Sequence, residues 1–275
     1  MAEGKELKFG LIGSSLSHSK SIKIQNAAFK YLKINASYEN YEIPIDNFDR
    51  SIIMLLQKVD GLNITIPFKE RIIKYLNKSD ELVAKIGAAN TVHLTETGII
   101  GYNTDYLGFI DSLKPLGNLS DKKVALLGAG GAAKAILIAL EDLGLERIFI
   151  YARNQLKVEE NLPRLNSCVL DIRLLSDATE LEEIDLLINC TPIGQGRLSE
   201  QSPIDTESLK TLPKTATVYD LIYSDTKLLR EAKELGLNTI NGKEMLIRQA
   251  MHSIKHWTGK ELTDELYSVM EEAFE

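Results

Sequence analysis

The sequence predicts an α/β protein of two domains, and three observations carry that expectation. Apolar runs of strand length alternate with segments of helical spacing along most of the chain. A glycine turn of the form G-x-G-x-x-A (Gly128, Gly130, Ala133) stands between one such strand, Val124 to Leu127, and one such helix, Lys134 to Leu143. The length, 275 residues, suits one large domain or two ordinary ones.

Composition narrows the function classes. With 44% hydrophobic and 26% charged residues the chain is ordinary for a globular protein. A formal net charge of −7 argues against non-specific nucleic-acid binding, which depends on clustered Lys and Arg. No apolar run reaches the length of a membrane span, and the first residues carry no apolar h-region, so a cytoplasmic location and no membrane partner are expected. Cys168 and Cys190 form neither a disulfide framework nor a metal-ligand spacing. His252 and His256 are one helical turn apart but lack the glutamate of a zincin motif, so they read as a solvated helix face. No metal is expected.

Leu7 to Ile12 reads as a buried strand, closed by Gly13 and a polar loop over 14–21. Ile24, Ala27, Ala28, Tyr31 and Leu32 recur at helical spacing. Tyr38 to Ile43 alternates as a strand does, and Asp46 is placed to cap a helix running to Lys58. Leu62, Ile64 and Ile66 then alternate with Asn63 and Thr65, and Pro67 stops that strand and can open the next helix. Asn63, Thr65 and Lys69 therefore gather at one strand end. A hairpin is expected over His93 to Ile100. Asn103 or Thr104 caps the helix that follows to Leu113, with Asp105 in its first turn, and the domain boundary is placed along it.

The glycine turn is what a dinucleotide needs. Gly128 gives the tight turn, Gly130 lets the pyrophosphate approach the backbone, and Ala133 packs helix on strand. The helix N-terminus offers free N–H groups and a positive dipole end. The next strand, Arg147 to Tyr151, would end in Asp or Glu in an NAD site. Here it runs into Ala152, Arg153 and Asn154, with Lys157 one turn on, so cations stand where a 2′-phosphate would lie and NADP is the expected cofactor. Val169 to Ile172, Leu186 to Asn189 and Thr217 to Leu221 supply further strands, and the loops after the last two should border the cofactor. A helix over Lys227 to Leu235, a short strand over Asn238 to Ile240, a long helix to Trp257 and an amphipathic helix from Thr263 to Phe274 complete the chain.

Several stretches fall in a familiar order: G-x-x-x-x-H-S-x-S at Gly13 to Ser21, N-I-T-I-P-F-K at Asn63 to Lys69, G-A-A-N-T at Gly87 to Thr91 and G-x-N-T-D at Gly101 to Asp105. G-A-G-G-A at Gly128 to Ala132, N-C-T-P-x-G at Asn189 to Gly194 and the Gly242-x-x-Met-Leu-x-x-Gln249 helix follow. Together they resemble the shikimate dehydrogenase family over nearly the whole chain. The resemblance implies an N-terminal α/β substrate domain (1–106, completed by 243–275) plus a Rossmann-like NADP-binding domain (107–242), with C-terminal helices returning to the first domain. It also implies reversible reduction of 3-dehydroshikimate to shikimate by NADPH, on the route to chorismate and the aromatic amino acids, in a monomer or homodimer.

By position, Lys69 and Asp105 match the family's catalytic pair. Ser19 and Ser21 match the hydroxyls that hold the substrate carboxylate. Asn63, Thr65, Asn90, Asp105 and Gln249 match the groups that hold ring hydroxyls, and Tyr223 a substrate-pocket tyrosine. For the cofactor, Gly128, Ala129, Gly130, Gly131 and Ala132 match the pyrophosphate turn, and Ala152, Arg153, Asn154 and Lys157 the 2′-phosphate loop. Thr191, Pro192, Ile222, Gly242 and Met245 match its remaining border. The chemistry suits these roles, because a ketone that receives hydride becomes an alkoxide, which an ammonium group can stabilise and protonate. A triol acid needs convergent neutral donors and acceptors, which Ser, Thr, Asn and Gln provide.

The chain departs from the family pattern in places. Ser15 and Ile22 stand where prolines are usual, Ala152 and Asn154 replace the Asn and Thr of an N-R-T loop, and Glu244 replaces the second glycine of G-x-G-M-L. None of these removes a catalytic candidate. Two rival readings are a broader quinate/shikimate dehydrogenase using NAD or NADP, and a non-catalytic sensor of pathway metabolites. The Lys69 and Asp105 pair speaks against the sensor.

Overall fold

The computed structural model describes residues 5–275, and of Lys157 and Asn161 the backbone alone. The chain forms two compact units, the first running to Gly108 and resuming over Ile247–Glu275, the second spanning Phe109–Leu246.

In the first unit the order is β1 (Leu7–Gly13), α1 (Ser21–Tyr31), β2 (Ala36–Glu42), α2 (Phe48–Leu55), β3 (Gly61–Ile64), β4 (Lys78–Ser79), α3 (Glu81–Ile86), β5 (Thr91–Thr95) and β6 (Gly98–Tyr102). α4 (Thr104–Leu113) carries the chain into the second unit. The six strands lie in the order β2-β1-β3-β5-β6-β4. β1 pairs in parallel with β2 and β3, as helical crossovers require, while β5 and β6 form the expected antiparallel hairpin. On α1 the buried Ser21, Ile24, Gln25, Ala28 and Phe29 follow one helical stripe.

The second unit contains β7 (Val124–Leu127), α5 (Gly131–Asp142), β8 (Arg147–Ala152), α6 (Gln155–Asn161), β9 (Val169–Leu174), β10 (Leu186–Asn189), α7 (Thr206–Thr211), β11 (Thr217–Asp220), α8 (Lys227–Glu234) and β12 (Asn238–Ile240). Its sheet, β12-β11-β10-β7-β8-β9, is parallel throughout. β7, β10 and β11 are buried at every position, which is why β7 and, up to Ile188, β10 read as continuous apolar runs. α9 (Lys243–Thr258) leads back to the first unit, where α10 (Asp264–Phe274) packs on α1. The single tryptophan, Trp257, anchors α9 there: its ring stacks on Phe9 at 4.6 Å and its Nε1 donates to the Val92 carbonyl at 2.9 Å. A Cβ at position 61 would lie 2.5 Å from that Nε1, so Gly61 leaves the indole its space.

Several local expectations are corrected. Asp46 does not cap α2; it sits inside a 3-10 turn (Ile45–Asn47) begun at Pro44, and the helix ends at Leu55. β3 stops at Ile64, and Pro67 opens no helix, because the Phe68 N–H turns back to the Thr65 carbonyl and the Phe68 ring enters the core, stacked on Phe48 at 4.3 Å. A 3-10 segment, Arg71–Tyr75, follows instead. The expected cuts after 106 and 242 fall early. The first turn of α9 stays with the second unit because Gly242 N–H donates to the Ile222 carbonyl at 3.1 Å and its own carbonyl accepts from the Leu246 N–H.

That contact admits no side chain. A Cβ on Gly242 would stand 2.0 Å from the Leu221 carbonyl oxygen. Gly242→Ala is therefore expected to cost about 1–3 kcal/mol of stability, the scale of an overpacked site. Thermal unfolding checks it, and an unchanged Tm would mean that the backbone there yields freely.

Candidate active site

In the first unit the start of α4 and the loop after β3 bring two charges together. Lys69 Nζ donates to Asp105 Oδ2 at 2.6 Å, with side chains only 15% and 12% exposed. Asn103 Oδ1 accepts from the Tyr106 N–H and so caps α4, which places Asp105 in the first turn. Asn90 Nδ2 donates to the other carboxylate oxygen, Asp105 Oδ1, at 2.9 Å, and Asn90 Oδ1 accepts from the Thr104 N–H at 2.6 Å. Both carboxylate oxygens are thereby engaged and the group is held in one orientation. Gln249 Oε1 lies 3.4 Å from Asn90 Nδ2 and completes the set from α9.

A second, fully buried layer adjoins it. Asn63 Oδ1 accepts from Tyr38 Oη at 2.8 Å and Gln25 Nε2 at 3.4 Å, and its Nδ2 faces Thr91 Oγ1 and Ser253 Oγ. Burial, partly offset by a hydrogen bond with Ser21, keeps the Tyr38 phenol protonated well past its ordinary range. Ser19 Oγ accepts from the Ser21 N–H at 3.2 Å at the start of α1. Thr65, just past the end of β3, donates its N–H to the Ile12 carbonyl at 2.8 Å. Tyr223 belongs to the second unit, half-buried after β11, with its hydroxyl pKa raised by that burial.

The solvated-face expectation does not hold for His256. His256 stacks on Tyr102 at 3.8 Å, and its pKa is lowered to about 4 by burial first, then by His252, His93 and Lys255. His93, on β5, is also held below its ordinary value by burial and hydrogen-bonds the His256 backbone. A depressed pKa favours the neutral imidazole in the fold, so this contribution is intact above pH 6.5 and is lost as pH falls toward 4. His256→Phe, which keeps a ring on Tyr102 without titrating, should flatten the fall of Tm between about pH 7 and 5. Parallel slopes for the two proteins would count against the argument.

In the second unit the glycine turn lies between β7 and α5 as expected, with Gly128 at φ 92°. A Cβ there would meet Thr191 Cγ2 at 2.6 Å, so the loops after β7 and β10 touch through that glycine. At Gly130 and Gly131 a Cβ would meet nothing within 4 Å, which is open space at the N-terminus of α5, where Ala129 and Ala132 also stand. Ala152 closes β8 buried, and Arg153 and Asn154 are exposed beyond it; the Lys157 side chain lies outside the described residues. Beside Arg153 opens a cavity of about 470 Å³ whose lining includes Leu174, Thr179, Pro203 and Ile204. Asn189 Oδ1 accepts from Thr191 N–H and Oγ1, which fixes the turn carrying Pro192. Asp220 accepts from Asn189, the Ile222 N–H and Thr226, and burial raises its pKa. Ile222, Gly242 and Met245 are buried at the far border. No carboxylate follows β8, and the open turn fits a phosphorylated dinucleotide. Among the described residues no group of His, Cys, Asp or Glu could hold a metal ion, and no helix is long and apolar enough to cross a membrane.

A parallel nucleotide unit and a polar unit built on a lysine–carboxylate pair define a dinucleotide-dependent oxidoreductase of a hydroxylated substrate. Comparison with known proteins is more specific. The family model described as the shikimate dehydrogenase substrate binding domain matches residues 11–92, and that of shikimate / quinate 5-dehydrogenase matches 112–225. The chain is 41% identical over 256 residues to a shikimate dehydrogenase (NADP(+)) of Clostridium botulinum, covering 90% of this chain and 95% of the relative. Shikimate dehydrogenase from Aquifex aeolicus superimposes with a TM-score of 0.87 at 32% identity, over 99% of both chains. The Thermus thermophilus enzyme, solved in complex with NADP(H) and shikimate, gives 0.83 at 32% identity over 98% of both chains. The chain belongs to the shikimate dehydrogenase family.

Proposed function

We propose that the chain catalyses the reversible NADPH-dependent reduction of 3-dehydroshikimate to shikimate in the cytoplasm, with the first unit holding the substrate and the second the cofactor. The observation that carries this is the Lys69–Asp105 pair at 2.6 Å, set among buried neutral donors and acceptors. NADPH, when bound, supplies the hydride. Lys69 stabilises the oxygen as charge develops on it and delivers the proton that makes the hydroxyl. Asp105, held from its other side by Asn90, keeps the ammonium aimed. Ser19 and Ser21 take the carboxylate, and Thr65, Asn90, Gln249 and Tyr223 the ring hydroxyls. Asn63 is the remaining member of the ring-hydroxyl set, its amide oriented by Tyr38, Thr91 and Ser253.

For the cofactor, the Gly128–Ala132 turn and the α5 N-terminus take the pyrophosphate, and Ala152, Arg153, Asn154 and Lys157 form the 2′-phosphate loop. Thr191, Pro192, Ile222, Gly242 and Met245 line the rest of its path. The similarity to NADP-named relatives supports the same choice. Acting on a small molecule as a monomer or homodimer accords with the net charge of −7, which disfavours a nucleic-acid partner.

The test is absorbance at the reduced-nicotinamide band with shikimate or quinate and NADP or NAD. Reduction of NADP by shikimate alone is expected. Comparable turnover of quinate with NAD would replace the reading with the broader dehydrogenase, and binding of shikimate without turnover would replace it with the sensor.

A further inference from the structure

Ser253 lies one turn beyond Gln249 on α9 and is fully buried. Its hydroxyl is the meeting point of three elements. It donates to the Gln249 carbonyl at 3.0 Å, accepts from Asn63 Nδ2 at 2.8 Å, and lies 2.9 Å from Thr91 Oγ1 and 3.2 Å from Thr104 Oγ1. A hydroxyl has one hydrogen and two lone pairs. With the hydrogen spent on Gln249 and one lone pair taken by Asn63, Ser253 has one lone pair left for a threonine hydroxyl, so it sets the direction of the hydrogen bonds around it.

We propose that Ser253 is a positioning residue for the reaction, fixing the polarity of the Thr91–Thr104–Asn90 cluster so that Asn90 presents its amide hydrogens to Asp105. The inference rests on reading this unit as the shikimate site. Thr104 Oγ1 lies 3.2 Å from Asn90 Oδ1 and 3.0 Å from its Nδ2, so either end of the amide could meet it. Orientation is decided by the Thr104 N–H, which needs an acceptor, and by a threonine hydroxyl that has another place to send its hydrogen. Ser253 is that place. Without it, the two threonine hydrogens are redistributed between Asn90 Oδ1, the other threonine's oxygen at 3.1 Å and, for Thr104, Gln249 Oε1 at 3.5 Å, and the chain of contacts to Asp105 and Lys69 loosens.

The experiment is Ser253→Ala beside Ser253→Cys, which keeps nearly the volume but accepts poorly. Both should lower kcat/KM for shikimate by about tenfold or more, the cost of orphaned buried donors, while KM for NADP stays within about twofold. Adding Thr104→Val should bring little further loss, because the two hydroxyls act as one unit. Wild-type kcat/KM in both variants, or a loss matched by an equal rise in KM for NADP, would overturn the proposal. Nitrogen-resolved NMR of the Asn90 side-chain amide gives a readout independent of turnover: its resonances should shift in Ser253→Ala, and unchanged resonances sink the idea. If the wild type itself fails to turn over shikimate, the functional reading falls, and the Asn90 resonances still decide the role of Ser253.

Discussion

Lys69→Ala is expected to lower kcat by about two to four orders of magnitude, the usual scale for removing a general acid, or roughly 3–5 kcal/mol of barrier. No other cation is hydrogen-bonded to Asp105 among the contacts described, so nothing takes over the proton. KM for shikimate should move far less, because Asn90 and Gln249 keep their places from other elements. NADP affinity should move far less than kcat, since the glycine turn proposed to take the pyrophosphate keeps all its residues. Steady-state kinetics with both substrates varied checks each part. A kcat within tenfold of wild type would remove Lys69 from the chemistry.

Arg153→Ala should weaken NADPH by about ten- to a hundredfold and leave NADH within about twofold, because a charged hydrogen bond to phosphate is worth roughly 1.5–3 kcal/mol. The side chain is exposed at the end of β8, so its loss leaves no cavity and the fold should tolerate it. Fluorescence titration with each cofactor separates the outcomes. Equal weakening of both would mean that Arg153 stacks on the shared adenosine and does not read the 2′-phosphate.

The nucleotide unit was legible because its central strands are buried on both faces. Val124–Leu127 and Leu186–Asn189 fall where the apolar runs place them. The Asn103 cap on α4 is equally a matter of local chemistry. Where tertiary burial overrides local preference, the sequence misleads. Pro67 could begin a helix, but Phe68 is drawn to Phe48 and the chain turns away. α3 and the two-residue β4 carry too few residues for any period to show. His256 looks like one of a solvated pair until Tyr102 is seen against its ring. Within the site, charged and loop residues stood out in their motifs. Ser253 did not, because a lone serine in a helix looks like surface until Asn63 and the two threonines converge on it.

The return of the chain to its first unit has a consequence for biosynthesis. The nucleotide unit is complete once Leu246 has been made, whereas the sheet begun at Leu7 lacks Gln249, Ser253 and Trp257 until α9 has followed it. A nascent chain should therefore mature in reverse order, its second lobe before its first. Because Trp257 is the sole indole and stacks on Phe9, its emission reports that last closing step and is blind to the earlier one.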